Sequence, residues 1–399
     1  MGVDEKRFRM PLLIGNVLDI WETFGFRDNP YSVNPVPAND EGARLLVGRE
    51  KELHRLKIKI GSSKAHPTIE GTNGVGKTSL VSVASYELYA AFLRAESDKP
   101  YIPVNPPFQL QPSDTVESFK ERFYLKIAQH FISEVETLRG RGFHVPRTDE
   151  IEKWINQPIN RSASGGASVS GFGGTFGKGE VPNLSSGFAT QGFFSTVQGW
   201  LSDCFPDSKD GGFVCVVDNL ELLDTSKTAR DLVEALRDEV LNLKGVYWVL
   251  CGARGIVRSV ASSPRLQGRL GDPIELGAIP DDQVGEVVSR RISEYANSSA
   301  AQAPVDPRGF EHIYQIGNYN LRNAFKYAED FALWLAEADN VPDTENEKFD
   351  LLEIWMAEMA EKYEQDTRGV KTRAWEIFDL ICDIGGTTAP GEYAHFGFE

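Results

Sequence analysis

The chain has 399 residues, of which 41% are hydrophobic and 25% charged, and its formal net charge is −16. This composition fits a soluble globular protein of two or three modules. The acidic balance excludes a protein that coats nucleic acid or an anionic membrane non-specifically, so any grip on phosphate has to come from a local cluster. There is no signal-peptide pattern and no apolar run near ~18 residues, so we expect a cytoplasmic protein outside the membrane.

Residues 1–46 are the first predicted region. The stretch 28–46 is rich in Pro, Asn and Asp, which predicts an extended arm with little regular structure. A helix from about Glu50 follows, and then a short apolar strand runs into the glycine turn of HPTIEGTNGVGKTSL. The next helix carries apolar residues four positions apart, from Leu80 to Ala91, which is the spacing of a buried stripe.

Strands and helices continue to alternate up to residue 278. YIPVNPPFQL predicts a strand, and a helix is expected from Ser113 to about Leu138, with Asp114 as its cap. The apolar runs GGFVCVVDN and VYWVLCGAR predict buried strands with a helix between them. This alternation predicts an α/β core at 47–278, a parallel sheet with helices on both faces.

A break in composition interrupts the predicted core at about 160–192. Nine of the 28 residues from Gly165 to Gly192 are glycine. Two interpretations stay open: a disordered linker, or a Gly-rich hairpin that contacts another subunit or a partner.

After residue 278 only helices are predicted. Two amphipathic helices, DDQVGEVVSRRI and NLRNAFKYAEDFALWL, predict a helical lid at 279–340, and Asn320 is expected to cap the second. The last region, 341–399, contains two more amphipathic helices, which could open a winged-helix module. Its acidic run from 342 to 366 would repel DNA, so a solvated face or a protein-docking surface explains it better.

The stretch GTNGVGKT matches the phosphate-binding loop GxxxxGK[ST] between a strand and a helix. In such a loop the main-chain amides and the helix N-terminus bind phosphate. Lys77 is expected to reach the β- and γ-phosphates and the Thr78 hydroxyl to ligate Mg²⁺, so the predicted cofactors are ATP and Mg²⁺. The expected nucleotide-binding residues of the loop are Gly71, Thr72, Asn73, Gly74, Val75, Gly76, Lys77, Thr78 and Ser79.

The stretch VCVVDNLELLD supplies the second half of a Mg²⁺ site. Asp218 stands at the carboxyl end of an apolar strand, where open α/β sheets bind their ligands. We expect this strand to lie next to the phosphate-binding strand and Asp218 to ligate Mg²⁺ together with Thr78.

GTNGVGKT, VVDNLE, LLVGREKEL and IGNYNLRNAF together resemble the AAA-plus and STAND classes of P-loop ATPase. The similarity is greatest to origin-recognition-type initiators, transposition-regulator ATPases and related bacterial ATPases, and it covers about residues 40–340. The resemblance implies ATP hydrolysis, a nucleotide-dependent homo-oligomer and a protein partner, for example in defence, transposition or replication initiation.

The resemblance also implies roles for residues outside the loop. Arg322 resembles the sensor-2 arginine, which reaches the γ-phosphate from the lid, although an exposed helix charge also fits. Arg269 resembles the arginine that such ATPases insert into a neighbouring subunit's site, while Arg265 competes for this role and a plain surface arginine fits as well. In such ATPases a short sequence motif before the first core helix, called a box, contacts the adenine edge. The residues that resemble this box are Val47, Gly48 and Arg49.

Two positions depart from the AAA-plus pattern. Such ATPases carry Glu directly after the Mg²⁺-binding Asp, but this chain has Asn219, so Glu221 is the expected base and turnover is expected to be slow. At the sensor-1 position, Arg254 resembles the arginine of STAND proteins. Three functions therefore stay open: an ATP-driven switch that regulates a partner, a DNA-binding loader, and a scaffold that binds ATP without turnover.

Overall fold

The computed structural model describes residues 19–62, 65–155, 190–207, 209–223, 226–337, 342 and 344–383. The Gly-rich stretch predicted at 160–192 lies outside the described residues up to residue 189. None of the helices in the described ranges combines the length and the apolar character that a bilayer span requires.

Six parallel strands form the sheet of the core. They are β1 (Thr68–Gly71), β2 (Tyr101–Pro103), β3 (Phe108–Gln109), β4 (Gly212–Asp218), β5 (Val246–Gly252) and β6 (Ile274–Leu276). Their order across the sheet is β2-β4-β5-β1-β6, and β3 pairs with the end of β4. The fold class predicted from the sequence, a parallel α/β P-loop core, is confirmed.

The strand order also shows that one prediction is wrong. The strand that ends at Asp218 was expected beside the phosphate-binding strand, but β5 lies between β1 and β4 and pairs with both. Both β4 and β5 are apolar runs buried in the sheet. Apolar character shows that a strand is internal but not which neighbour it has.

Helices cover both faces of this sheet. The helices described before β6 are α1 (Ile20–Thr23), α2 (Asp40–Leu45), α3 (Glu50–Ser62), α4 (Lys77–Leu93), α5 (Val116–Gly140), α6 (Asp149–Ile155), α7 (Thr190–Cys204), α8 (Ser226–Leu236) and α9 (Ile256–Ala261). On one face Cys215 and Val217 of β4 pack with α5, α7, α8 and α9, and on the other Val214 and Val216 pack with α3 and α4. This alternation follows from the two-residue period of a strand.

Helix α5 begins at Val116 rather than near Ser113. Thr115 caps it, because its side chain accepts a hydrogen bond from the Ser118 N–H while Ser118 Oγ accepts one from the Thr115 N–H. Asp114, the predicted cap, instead pairs with Arg122 at 2.5 Å.

After β6 the described residues form helices and no further strand. The predicted lid at 279–340 contains α10 (Asp281–Tyr295), α11 (Pro307–Ile316) and α12 (Leu321–Ala336), and the predicted C-terminal region contains α13 (Glu345–Thr367) and α14 (Thr372–Asp383). Helices α10 to α12 share one apolar core with the start of α13, centred on Val288, Phe310 and Phe331. The second half of α13 and the described side chains of α14 are largely exposed, including Trp375 and Phe378.

The N-terminal arm packs against this lid. Within the stretch predicted to have little regular structure, six residues form α2. Trp21 and Phe26 are buried in the apolar core of the lid, and the Tyr31 hydroxyl donates to the Val305 carbonyl at 2.6 Å. Prolines and asparagines predicted an irregular chain, but Tyr31 within the stretch and the aromatic residues just before it bury enough apolar surface to hold it in place.

Candidate functional site

The loop between β1 and α4 closes tightly because glycine stands at two left-handed positions. Gly74 and Gly76 have φ angles of +82° and +99°, which only glycine adopts without strain. Gly76 directly precedes the first turn of α4. The main-chain amides of the turn therefore gather at a helix N-terminus, which suits an anionic ligand.

The lysine of this loop is buried within it. The Lys77 side chain is 5% exposed, and its Nζ donates to the carbonyls of Gly71 and Thr72 at 3.0 and 3.2 Å. Its Nζ also lies 3.9 Å from Glu221 Oε1. The ammonium is thus held between the carbonyls of the loop and a carboxylate.

Thr78 and Asp218 meet at the mouth of the loop. The Thr78 hydroxyl donates to Asp218 Oδ2 at 2.6 Å, although the two residues are 140 positions apart. Asp218 is buried, and its Oδ1 accepts from the Asn219 N–H at 3.0 Å. Hydroxyl and carboxylate oxygens are the ligands that Mg²⁺ prefers, so this pair fits a Mg²⁺ site shared with a substrate phosphate.

Glu221 faces the loop because the chain turns sharply after β4. Asn219 adopts φ 58° and ψ 48°, a left-handed conformation that asparagine tolerates better than most residues, and a 3₁₀ turn at Leu220–Leu222 follows. Glu221 Oε2 accepts from the Ala253 N–H at 3.0 Å. Its Oε1 is buried without a hydrogen-bond partner among the described residues, so this oxygen is free to accept from a ligand or a water molecule.

The lid touches the loop directly at the start of α12. Asn320 caps this helix as predicted, since its Oδ1 accepts from the N–H groups of Arg322 and Asn323. Its Nδ2 donates to the Asn73 carbonyl at 2.6 Å, and the Arg322 N–H donates to the Gly74 carbonyl at 3.3 Å. The Arg322 side chain is exposed and lines the same cleft between core and lid.

The three box residues divide between two tasks. Val47 is buried and lines the cleft, and Gly48 has a φ of +71°. Arg49 is 4% exposed, and its Nη2 donates to the carbonyls of Val75 and Gly277 at 3.1 and 2.7 Å. Burial lowers the pKa of Arg49 below its usual value. The guanidinium therefore braces the phosphate loop against the residue that follows β6.

The other predicted arginines lie outside this cleft. Arg254 follows β5 and Arg269 precedes β6, and both are exposed. Arg265, the competitor of Arg269, pairs with Glu234 at 3.6 Å. Arg269 forms no ion pair within the described part of the chain, so of the two it is the one whose charge is available to another molecule.

Sequence reasoning missed Arg291 on α10. This side chain lines the cleft while being 7% exposed, and its guanidinium lies 4.0 Å from the centroid of the Phe325 ring. Its Nη1 donates to the Ser32 carbonyl of the arm at 2.8 Å, and burial lowers its pKa to about 10. The only available signal was its place four residues after Val287, on the apolar side of the helix.

The chain matches no known family profile and no curated protein sequence. Solved structures similar in outline include the ORC1 protein of Aeropyrum pernix in complex with DNA, at 15% identity and a TM-score of 0.45, covering 90% of this chain and 88% of that one. The ORC2 protein of the same organism, in ADPNP–ADP complexes, is 14% identical with a TM-score of 0.47, covering 91% and 80%.

A Walker-type ATPase of Pyrococcus abyssi is 12% identical with a TM-score of 0.43, covering 88% and 82%. At these values the likeness concerns the arrangement of helices and strands and assigns no residue or ligand to this chain. The assignment of the fold therefore rests on the strand order of this chain and on the glycine loop between β1 and α4.

Proposed function

We propose that this protein is a P-loop ATPase of the AAA-plus type that binds MgATP between core and lid and acts as a slow nucleotide switch. The observation that carries the proposal is the 2.6 Å hydrogen bond between Thr78 and Asp218 at the mouth of the loop. A helix N-terminus and a distant strand end bring together two oxygen ligands beside a cradle of amides, which is what a metal-bound triphosphate needs.

In the proposed complex, the loop amides and Lys77 bind the phosphate chain. Thr78 and Asp218 hold Mg²⁺, which neutralises charge on the β- and γ-phosphates. Val47, Phe325 and Arg291 line the cleft beyond the loop and offer apolar and cationic surface to a base. Adenine is the base that the resemblance of the sequence implies.

Slow turnover follows from the position of Glu221. Its free Oε1 can accept the proton of an attacking water while Oε2 stays on the Ala253 N–H. The same carboxylate lies 3.9 Å from Lys77, which lowers its readiness to act as a base until a substrate draws the ammonium away. This pairing favours a second candidate, a scaffold that binds ATP without turnover.

The switch would work through the lid and through self-assembly. Arg322 sits where the lid faces the loop, and Arg269 is exposed on the surface of the core. We infer that a second copy receives Arg269 in its cleft, so hydrolysis depends on assembly, and that the assembled form regulates a protein partner. Arg265, which is also exposed but pairs with Glu234, is the competing candidate for this contact.

Calorimetric titration of the wild-type protein with MgATP tests the proposal. Binding that Mg²⁺ strengthens is expected, and a wild type that does not bind MgATP contradicts the proposal. Phosphate release then separates the two candidates: release that is lost in Glu221→Gln supports the ATPase. Equal background release in wild type and variant supports the scaffold.

A further inference from the structure

We propose that Asn320 is a positioning residue that orients the phosphate-binding amides from the lid, so that lid closure and triphosphate binding form one equilibrium. The inference deepens the proposed function of this site and rests on it. It concerns how the lid responds to nucleotide, and it gives that role to the side-chain amide of Asn320 on a loop carbonyl rather than to the Arg322 side chain.

The lid lies so close to the loop that only glycine fits at position 74. Asn320 Nδ2 donates to the Asn73 carbonyl at 2.6 Å, and the next lid contact is the Arg322 N–H on the Gly74 carbonyl. A Cβ added to Gly74 would lie 2.5 Å from Asn320 Oδ1 and 2.6 Å from Arg322 Cβ. The crest of the loop therefore fits directly beneath the first turn of α12.

The geometry of the peptide unit gives this contact its consequence. The Asn73 carbonyl and the Gly74 N–H belong to one planar trans peptide, so they point in opposite directions. Holding the oxygen toward the lid turns the N–H away from the lid and into the loop, where phosphate oxygens accept hydrogen bonds. Asn320 thus presets one of the donors that a triphosphate uses.

The core presets a neighbouring donor by the same means. Arg49 Nη2 donates to the Val75 carbonyl at 3.1 Å. The Gly76 N–H belongs to the same peptide unit and therefore points away from Arg49. Adjacent parts of one loop are therefore oriented by two different domains. A phosphate that accepts from both the Gly74 and the Gly76 N–H stabilises the Asn320 contact and the Arg49 contact together. Ligand binding is therefore coupled to the position of the lid.

The lid holds strained backbone next to this contact. Asn318 and Tyr319, just before Asn320, have φ angles of 55° and 56°, in the left-handed region that non-glycine residues seldom adopt. The Tyr319 N–H donates to the Tyr314 carbonyl at 2.9 Å, which closes the turn. Strain of this kind persists where surrounding contacts fix the position of a functional residue.

The substitution Asn320→Ser separates this role from that of a helix cap. Serine caps a helix about as well as asparagine but has no amide to donate to Asn73. We expect the affinity for magnesium tripolyphosphate, which has no base or ribose, and for MgATP to fall about five- to tenfold. The urea midpoint is expected to fall no further than in a variant that loses a helix cap of the lid, because serine keeps the cap of α12.

Asp306→Ala is the matched control. Asp306 caps α11 through a 2.7 Å hydrogen bond from the Gly309 N–H, and none of its hydrogen bonds reaches the loop. This variant is expected to lower the urea midpoint while leaving the affinity for magnesium tripolyphosphate unchanged. A reduced affinity in Asp306→Ala equal to that in Asn320→Ser would mean that lid stability alone matters, and it would overturn the inference.

Two further results decide the matter. Wild-type affinity in Asn320→Ser overturns the inference while leaving the proposed function intact, whereas a wild type that binds neither MgATP nor tripolyphosphate removes both. In the wild type, hydrogen exchange at the Arg322 and Asn323 amides is expected to slow when MgATP binds, because bound phosphate reinforces the contact. Unchanged exchange at these amides in saturated protein also overturns the inference.

Discussion

The phosphate loop and the outer arginines differ in how completely a single chain surrounds them. Around the loop, Arg49 from the core and Asn320 from the lid hold carbonyl oxygens at 3.1 and 2.6 Å. Arg254 and Arg269 are exposed and lie outside the cleft of their own chain. One chain thus supplies all the groups expected to bind nucleotide. We infer that the exposed arginines expected to promote turnover act only when a second chain is present.

Removing Arg269 should have the largest effect of all the substitutions, and it should change ATP turnover but not MgATP binding. If Arg269 enters a neighbour's site, Arg269→Ala reduces ATP turnover by about a thousandfold, because it removes charge neutralisation in the transition state. Turnover is measured at rising protein concentration, and MgATP affinity should remain that of the wild type. Arg265→Ala is the matched control, and equal losses in both variants would contradict the assignment.

Lys77→Ala should weaken nucleotide binding at the phosphate loop. Loss of the only ammonium described within the loop is expected to weaken MgATP binding by about a hundredfold, the value of two charge-assisted hydrogen bonds. Calorimetry measures the affinity. Lys326→Ala removes a lysine on the outside of the lid that pairs with Asp330, and it should bind as the wild type does. Binding by Lys77→Ala within a few-fold of wild type would contradict the proposed site.

Asp218→Asn tests the metal half of the binding site. We expect MgATP affinity to fall about tenfold, because a neutral amide is a poorer Mg²⁺ ligand than a carboxylate. The same titration in EDTA is the control, where the variant should bind ATP at least as well as wild type since one negative charge is gone. An unchanged dependence on Mg²⁺ would show that Asp218 is not a ligand of the ion.

Arg49→Lys gives a smaller effect that sharpens the role of the bracing contacts. Lysine keeps the charge, but its shorter side chain does not place a donor where Arg49 Nη2 donates to the carbonyls of Val75 and Gly277. We expect about fivefold weaker MgATP binding and a loss of about 1 kcal/mol in the free energy of unfolding. Arg55→Lys, on the exposed face of α3, which begins directly after Arg49, is the control and should change neither quantity.

The smallest effect concerns an ion pair outside both regions. Glu294 of α10 accepts from Arg44 and Arg27 of the arm, and the Arg44 hydrogen bond is the main cause that holds the pKa of Glu294 below its usual value. A depressed carboxyl pKa stabilises the folded state above the ordinary pKa of Glu and ceases to do so as pH falls through the depressed value. Glu294→Gln should therefore lower the urea midpoint slightly at pH 7, and the difference from wild type should vanish in acid.

The fold and the loop could be predicted because their signals are local. A GxxxxGK[ST] spacing fixes the turn that it builds, and an acid at the end of an apolar strand must lie at the carboxyl edge of the sheet. The direction of Glu221 depends on one left-handed residue, Asn219, which sequence periodicity does not report.

Two other features arise only when distant segments pack. The second hydrogen bond of Asn320 joins residues that are 247 positions apart. Arg291 enters the cleft because the arm supplies the Ser32 carbonyl from 259 positions away. The Asn320 contact leaves no pattern within a window of sequence, and the place of Arg291 on the apolar side of its helix indicates burial but not the cleft or the Ser32 carbonyl.

The most direct test is an experimental structure of the wild-type protein with Mg²⁺ and a slowly hydrolysed ATP analogue. We expect the triphosphate within the loop at 71–78, and the ion about 2.1 Å from Thr78 Oγ1 with Asp218 bound directly or through one water. A triphosphate outside the loop, or an ion that neither Thr78 nor Asp218 approaches, would contradict the proposed nucleotide site.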